Sequence, residues 1–255
     1  MRIVKRNNKI LVFTFFILLL NGACENKTEY NVLSGQLLGY VSLSDSNYIQ
    51  NQDKSGIEVI VEGSNPQIKA VTDEEGNFMI DNLKCGTYNL IFNKEGYCQH
   101  KIVGYQFVGG SKPTSLNQVR LYWKPNMLID SLKIANYSDF FSNVLQASAK
   151  VSNLPEHSSF YYRYYLSNKS DISYKDYAST DIVYGSSYDK TPSFYLQIDT
   201  IKFPVGSKFY MIMYPASEKY QYYTDINTGN KIYTSININK PSDTISSIVP
   251  QINGW

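Results

Sequence analysis

Histidine is nearly missing from this chain: there are 2 in 255 residues, His100 and His157. They stand in different halves of the sequence, and neither sits in an H-x-x-E or H-E-x-x-H spacing. Hydrolytic zinc chemistry needs clustered ligands of that kind, so no metal centre and no zinc peptidase activity are expected. Cys98 and His100 are two apart on one expected strand and share a face, but no orienting acid or oxyanion arrangement accompanies them, which argues against a nucleophile pair. No cofactor motif is present, and the chain does not read as an enzyme. No apolar run reaches bilayer length either. The longest, ILVFTFFILLL at residues 10–20, would span roughly 16 Å as a helix, against a hydrocarbon core of ~30 Å. Between residues 34 and 123 no segment reads as an amphipathic helix.

That apolar run has a different meaning. Arg2, Lys5, Arg6 and Lys9 precede it as a basic n-region, so residues 1–23 read as an export signal. The stretch Asn21-Gly22-Ala23-Cys24 resembles a bacterial lipobox, departing from the commonest form at Asn21, where leucine is usual. The resemblance implies that Cys24 is acylated and becomes the mature N-terminus. Two or more acyl chains anchor a protein stably, at ~0.8 kcal/mol per buried CH₂. A lipid anchor in the cell outer membrane, with residues 24–33 as a polar tether, is therefore expected. Loss of residues 1–23 removes four basic and no acidic side chains, leaving 20 Lys+Arg against 22 Asp+Glu. No basic patch suited to nucleic acid survives.

Besides Cys24 there are only Cys85 and Cys98. They flank an expected hairpin with its turn at residues 94–96. In that register Cys98 lies opposite Ile91, and the offset from Cys85 is roughly 10 Å, too far for a relaxed bridge. Two buried free thiols are expected.

What the chain has in quantity is tyrosine, 23 residues, a side chain favoured in strands. Between residues 34 and 123, seven strands are expected: residues 35–43, 57–62, 67–72, 77–83, 87–93, 97–107 and 118–123. Turn sequences separate them, as at Asp73-Glu74-Glu75-Gly76, where glycine supplies a positive φ. The spacing indicates an antiparallel β-sandwich. The order Gly35-Gln36-Leu37-Leu38-Gly39, Val59 to Gly63, Thr72-Asp73-Glu74-Glu75-Gly76-Asn77-Phe78, Gly86-Thr87-Tyr88 and Gly96-Tyr97 resembles the carboxypeptidase regulatory-like domain, a transthyretin-like sandwich. That resemblance implies an accessory scaffold over residues 34–123 and no peptidase activity.

Lys124-Pro125-Asn126 reads as a linker, stiffened because Pro125 fixes φ. Residues 127–240 resemble an immunoglobulin-like or fibronectin type III sandwich by strand count and spacing alone, with strands at 142–153, 159–166, 193–202, 208–215, 220–224 and 231–239. Residues 241–255 read as a polar, loose tail. The fold class is thus all-β, two sandwiches in tandem after a lipoprotein signal.

Seventeen of the tyrosines follow Arg120. In SFYYRYYL at residues 159–166, Phe160, Tyr162, Tyr164 and Leu166 share one face, and Tyr161, Arg163 and Tyr165 the other. Both faces cannot be core in a two-layer sandwich. Tyr161, Tyr165, Tyr220, Tyr222 and Tyr223 are therefore the candidate binding face, because exposed rings stack on sugars or form protein-binding patches. Asp225-Ile226-Asn227-Thr228-Gly229-Asn230 has the look of a calcium loop, but its twelfth position is Ile236 instead of a bidentate glutamate, so a hairpin turn is expected. Asp130-Ser131-Leu132, Asp199-Thr200-Ile201 and Asp243-Thr244-Ile245 resemble O-glycan acceptor sites of some Gram-negative envelope proteins. The reading is a non-enzymatic envelope lipoprotein that offers a tyrosine-rich sandwich to a glycan or protein partner. The alternative is a structural subunit of an outer-membrane transport or adhesion assembly.

Overall fold

The computed structural model describes residues 33–45, 53–138, 143–156 and 159–251. The signal, Cys24, His157 and residues 252–255 lie outside the described residues. The described residues all belong to one compact unit, Leu33–Trp255, which is all-β and contains two sandwiches in tandem.

The first sandwich is built from β1 (Ser34–Ser44), β2 (Glu58–Val61), β3 (Lys69–Val71), β4 (Asn77–Lys84), β5 (Gly86–Asn93), β6 (His100–Phe107), β7 (Thr114–Ser115) and β8 (Val119–Tyr122). One sheet runs β4-β1-β7, with β8 also paired to β1; the other runs β3-β2-β5-β6. Alternation places Phe78 and Ile80 of β4 inward, and an irregularity at Asn82, φ 52°, returns Leu83 to the same face, against Leu37, Val41, Leu90 and Phe92. Each such side chain contributes about 1.5–3 kcal/mol on burial. The sheet containing β1 is mixed, not antiparallel: β7 and β8 both run parallel to β1. After β6 the chain leaves the opposite sheet and crosses over, so it enters the β1 sheet in the same direction as β1. The turn before β4 forms as its sequence demands. Asp73 Oδ1 accepts the Asn77 N–H at 2.7 Å, and Gly76 has φ 92°. A Cβ at Gly76 would also lie 2.3 Å from the Val41 carbonyl oxygen, so glycine is required there twice over.

The second sandwich comprises β9 (Leu128–Ser138), β10 (Asn143–Ser152), β11 (Ser159–Ser167), β12 (Ser179–Ser186), β13 (Ser193–Tyr195), β14 (Lys208–Ala216) and β17 (Ile245–Ile248), with β15 (Tyr222–Thr224) and β16 (Lys231–Tyr233) forming a separate hairpin. Its sheets run β13-β10-β9 and β12-β11-β14-β17. Between them sit Leu145, Ala147, Ala149, Val151, Phe160, Tyr162, Tyr164 and Leu166.

Four expectations are corrected. The tail is not loose along its length: Ile245–Ile248 pairs antiparallel with β14, and Val249 is buried in the core. The strand expected over residues 193–202 stops at Tyr195, and the chain then turns at Asp199, whose Oδ1 accepts the Ile201 N–H. Cys85 and Cys98 are both free, but only Cys98 is buried. The fourth concerns the layers. The outer face of the β11 sheet is covered by a further apolar cluster, in which Tyr165, Ile172, Ile212, Tyr214, Ala216 and Ile236 are buried. The segment after β11 and the β15–β16 hairpin thus add a third layer, and β11 is buried on both faces.

The sandwiches meet through specific contacts. Pro125 is buried, and its carbonyl accepts a 2.7 Å hydrogen bond from Asn237 Nδ2. Gln221 Nε2 donates to the Arg120 carbonyl at 2.7 Å, and Cys98 Sγ lies 3.7 Å from the Ile236 carbonyl oxygen.

Candidate binding cleft

The third layer creates the site. The β15–β16 hairpin is closed by Asp225, whose Oδ1 accepts the N–H groups of Asn227 and Thr228, both at 2.9 Å, and by Gly229 at φ 73°. This is the turn chemistry expected of the loop. The hairpin projects from the second sandwich to lie beside β6 of the first, and a cleft of about 290 Å³ opens along the seam. Tyr97 from the first sandwich and Tyr174, Tyr223 and Tyr233 from the second give it aromatic walls; Asn93, Asn239, Lys101 and Lys124 give it polar groups.

The walls are held from behind. Arg163, only 3% exposed, stacks its guanidinium 3.4 Å from the Tyr233 ring centroid and donates from Nη2 to the Lys219 carbonyl at 2.6 Å. A planar, weakly hydrated guanidinium suits such a stack better than an ammonium does. Tyr165 lies in the same layer, with Tyr177 at 4.9 Å and Tyr214 at 5.6 Å between ring centroids, both near edge-to-face. Burial raises the Tyr165 hydroxyl well above the ordinary tyrosine range. Lys101 Nζ is 2.6 Å from Glu62 Oε1 and 5.6 Å from the Tyr223 ring centroid. Glu62 is held below the usual carboxylate range, first by its hydrogen bond from Lys101 and then by that from Asn89.

The sequence-derived tyrosines divide among several places. Tyr223 lines the cleft. Tyr222, 41% exposed, lines a groove beside it with His100 and Val103. Tyr220 is 70% exposed, with Lys219 Nζ 4.6 Å from its ring centroid. Tyr161 is half-buried and packs against Tyr184 at 6.0 Å; it belongs to the outer apolar cluster and does not line the cleft. Tyr165 is fully buried, and its place in a solvent-facing set is corrected: the third layer that covers it was not foreseen. Sequence reasoning missed Tyr97, Tyr174, Tyr233, Lys101 and Lys124. Tyr97 was taken into the glycine-turn motif. Tyr174 lies in a segment with no strand pattern.

Cys98 and His100 each have other partners. Cys98 Sγ lies 3.7 Å from the carbonyl oxygens of Trp123 and Ile236, and burial pushes its thiol up to about 12. Burial lowers His100 to about 4, and its Nδ1 is 3.4 Å from Thr234 Oγ1. Among the described residues no group of three or more His, Cys, Asp or Glu side chains is placed to hold a metal ion, and no helix is long and apolar enough to cross a membrane. Ser131, Thr200 and Thr244 of the three Asp-Ser/Thr triplets are all exposed.

Fold and site together define an all-β chain of tandem sandwiches with an aromatic, hydrogen-bonding cleft at their seam. No protein-family model matches the chain, and no curated protein matches it. Among solved structures it is similar to a provisionally named carbohydrate binding protein from Bacteroides uniformis, at 10% identity and TM-score 0.32, covering 85% of this chain and 100% of that one. It is also similar to a DUF3823 family protein from Bacteroides ovatus, at 11% identity and TM-score 0.33, covering 85% and 99%. A type II cohesin–X-dockerin complex from Acetivibrio cellulolyticus matches at 20% identity and TM-score 0.30 over 35% of this chain. The match spans 58% of that cohesin–dockerin chain. At these scores the likenesses assign no function.

Proposed function

We propose that this chain is a non-enzymatic envelope lipoprotein, anchored in the outer membrane through Cys24, and that its seam cleft binds a glycan. The cleft carries the reading: four tyrosines and two asparagines converge in one concavity of about 290 Å³. Sugars present an apolar ring face and a rim of hydroxyls, so they are matched by aromatic walls with amide and ammonium groups between them. The volume sits at the low end of the ~300–1,000 Å³ typical of small-molecule sites, which suits a terminal sugar better than a long chain segment. The first sandwich acts as the scaffold that its carboxypeptidase regulatory-like motif series implies, holding β6 against the hairpin.

A glycan array probed with a chain beginning at Glu25 tests the binding claim. Hits that disappear in Tyr223→Ala support it. An array without hits, together with a stable protein partner recovered from detergent extracts, would favour the envelope-assembly role instead. Palmitate labelling tests the anchor: it is expected in the full chain and lost in Cys24→Ala, and label that persists in Cys24→Ala would overturn the anchor.

A further inference from the structure

We infer that the glycan is acidic, carrying a carboxylate or sulfate; this rests on the reading of the cleft as a glycan site. Two lysines and no carboxylate line the cleft. Lys101 is already engaged by Glu62 at 2.6 Å. Lys124 is half-buried and enters none of the ion pairs among the described residues. Lys175 stands beside the wall residue Tyr174, its Nζ 5.5 Å from the ring centroid, and its charge adds to the backbone hydrogen bonds that hold the Asp225 carboxyl low. Asp225 and Glu62 are the carboxylates that act on Tyr223, and Asp225 Oδ1 also accepts two backbone N–H groups of its own turn.

The seam therefore holds one ammonium group, that of Lys124, outside the ion pairs among the described residues, although the chain after residue 23 has 20 basic and 22 acidic side chains. The positive potential is a local property of the cleft, not of the protein as a whole. Clefts with low-dielectric walls focus such fields and raise the local concentration of an oppositely charged ligand. An ammonium paired with an anion gains a Coulomb attraction that a neutral hydroxyl does not offer. A uronate or sulfate group held by Lys124, with its sugar ring against Tyr223 or Tyr97, satisfies both the charge and the aromatic wall.

Calorimetry on the chain beginning at Glu25 tests this with matched pairs. The probes are oligogalacturonate and its methyl ester, and chondroitin sulfate oligosaccharide and its desulfated form, at low and at high salt. At least one acid is expected to bind roughly tenfold tighter than its neutralised counterpart. That advantage should vanish at high salt and in Lys124→Gln, and persist in Lys124→Arg, with unchanged melting temperatures confirming that both variants fold. Neutralised probes binding as tightly as the acids would overturn the inference. If neutral glycans bind and are lost in Tyr223→Ala, the inference fails while the glycan site stands. If no glycan binds, on this panel or on the array, both fail.

Discussion

The guanidinium of Arg163 lies 3.4 Å from the centre of the Tyr233 ring, and this contact joins the core of the second sandwich to the wall of the cleft. Arg163 sits on β11, the strand buried on both faces, while Tyr233 ends β16 in the hairpin. Arg163→Ala removes the stack and the hydrogen bond to the Lys219 carbonyl, and is expected to cost about 2–4 kcal/mol. Arg163→Lys should recover little of this, because an ammonium cannot stack as a plane. Urea denaturation of the three proteins measures it; a lysine variant as stable as the parent would contradict the stacking account.

Tyr165 provides the opposite sign. Its hydroxyl is buried and has no hydrogen-bond partner among the described residues, whereas its ring packs against Tyr177 and Tyr214. Tyr165→Phe keeps the ring and removes the unsatisfied group, so a gain of roughly 1 kcal/mol is expected. Tyr165→Ala should lose about 3–5 kcal/mol by leaving a cavity. Thermal melts of both variants separate packing from polarity.

Gly185 on β12 is required by contact, not by dihedral angle. A Cβ there would fall 2.2 Å from the Phe160 ring and 2.9 Å from that of Tyr162, and both rings are fully buried. Gly185→Ala is expected to destabilise by about 1–3 kcal/mol, read as a drop in the denaturation midpoint. Gly185→Ala melting with the parent would show that the core gives way more easily than its packing implies.

His100 makes the seam sensitive to acid. Its folded value of about 4 lies below the ordinary 6.5, so the unfolded chain takes up the proton first. The stabilisation is complete above pH 6.5 and is lost as pH falls through 6.5 to about 4, by up to about 3 kcal/mol. Lys101 and Arg120 line the grooves beside His100, and burial is what disfavours its charged form. Asp73 and Asp225, both held low chiefly by backbone N–H donors, lose their contribution at lower pH. The test is therefore a difference: His100→Gln should flatten the stability–pH curve between pH 6.5 and 4. Parallel curves for the two proteins would rule out a buried neutral His100.

Much of this architecture could be read from local pattern. The β4 run NFMIDNLK alternates through Phe78 and Ile80 and resumes at Leu83 after an irregularity at Asn82, and the glycine turns at Gly76 and Gly229 stand at positive φ as their sequences suggested. Period-two alternation reports which residues share a face, but not how many layers cover that face. SFYYRYYL therefore separated Tyr162 and Tyr164 from Tyr161, Arg163 and Tyr165 correctly, yet gave no sign that Tyr165 lies under a third layer. The parallel pairing of β1 with β8 escaped for a similar reason, since strand direction is set by a crossover and not by composition. The cleft was legible only through Tyr223, because its other walls are far apart in sequence and meet only where the hairpin folds onto β6.

The central claim is that a glycan occupies the seam between the sandwiches. The most direct measurement is a titration of the ¹⁵N-labelled chain, beginning at Glu25, with the tightest-binding glycan from the array, following backbone amide shifts. The account predicts saturable shifts concentrated at Tyr97, Lys101, Lys124, Tyr223 and Tyr233, and their absence in Tyr223→Ala. Shifts centred instead on the exposed Tyr184 and Tyr195, with the seam residues unmoved, would contradict it.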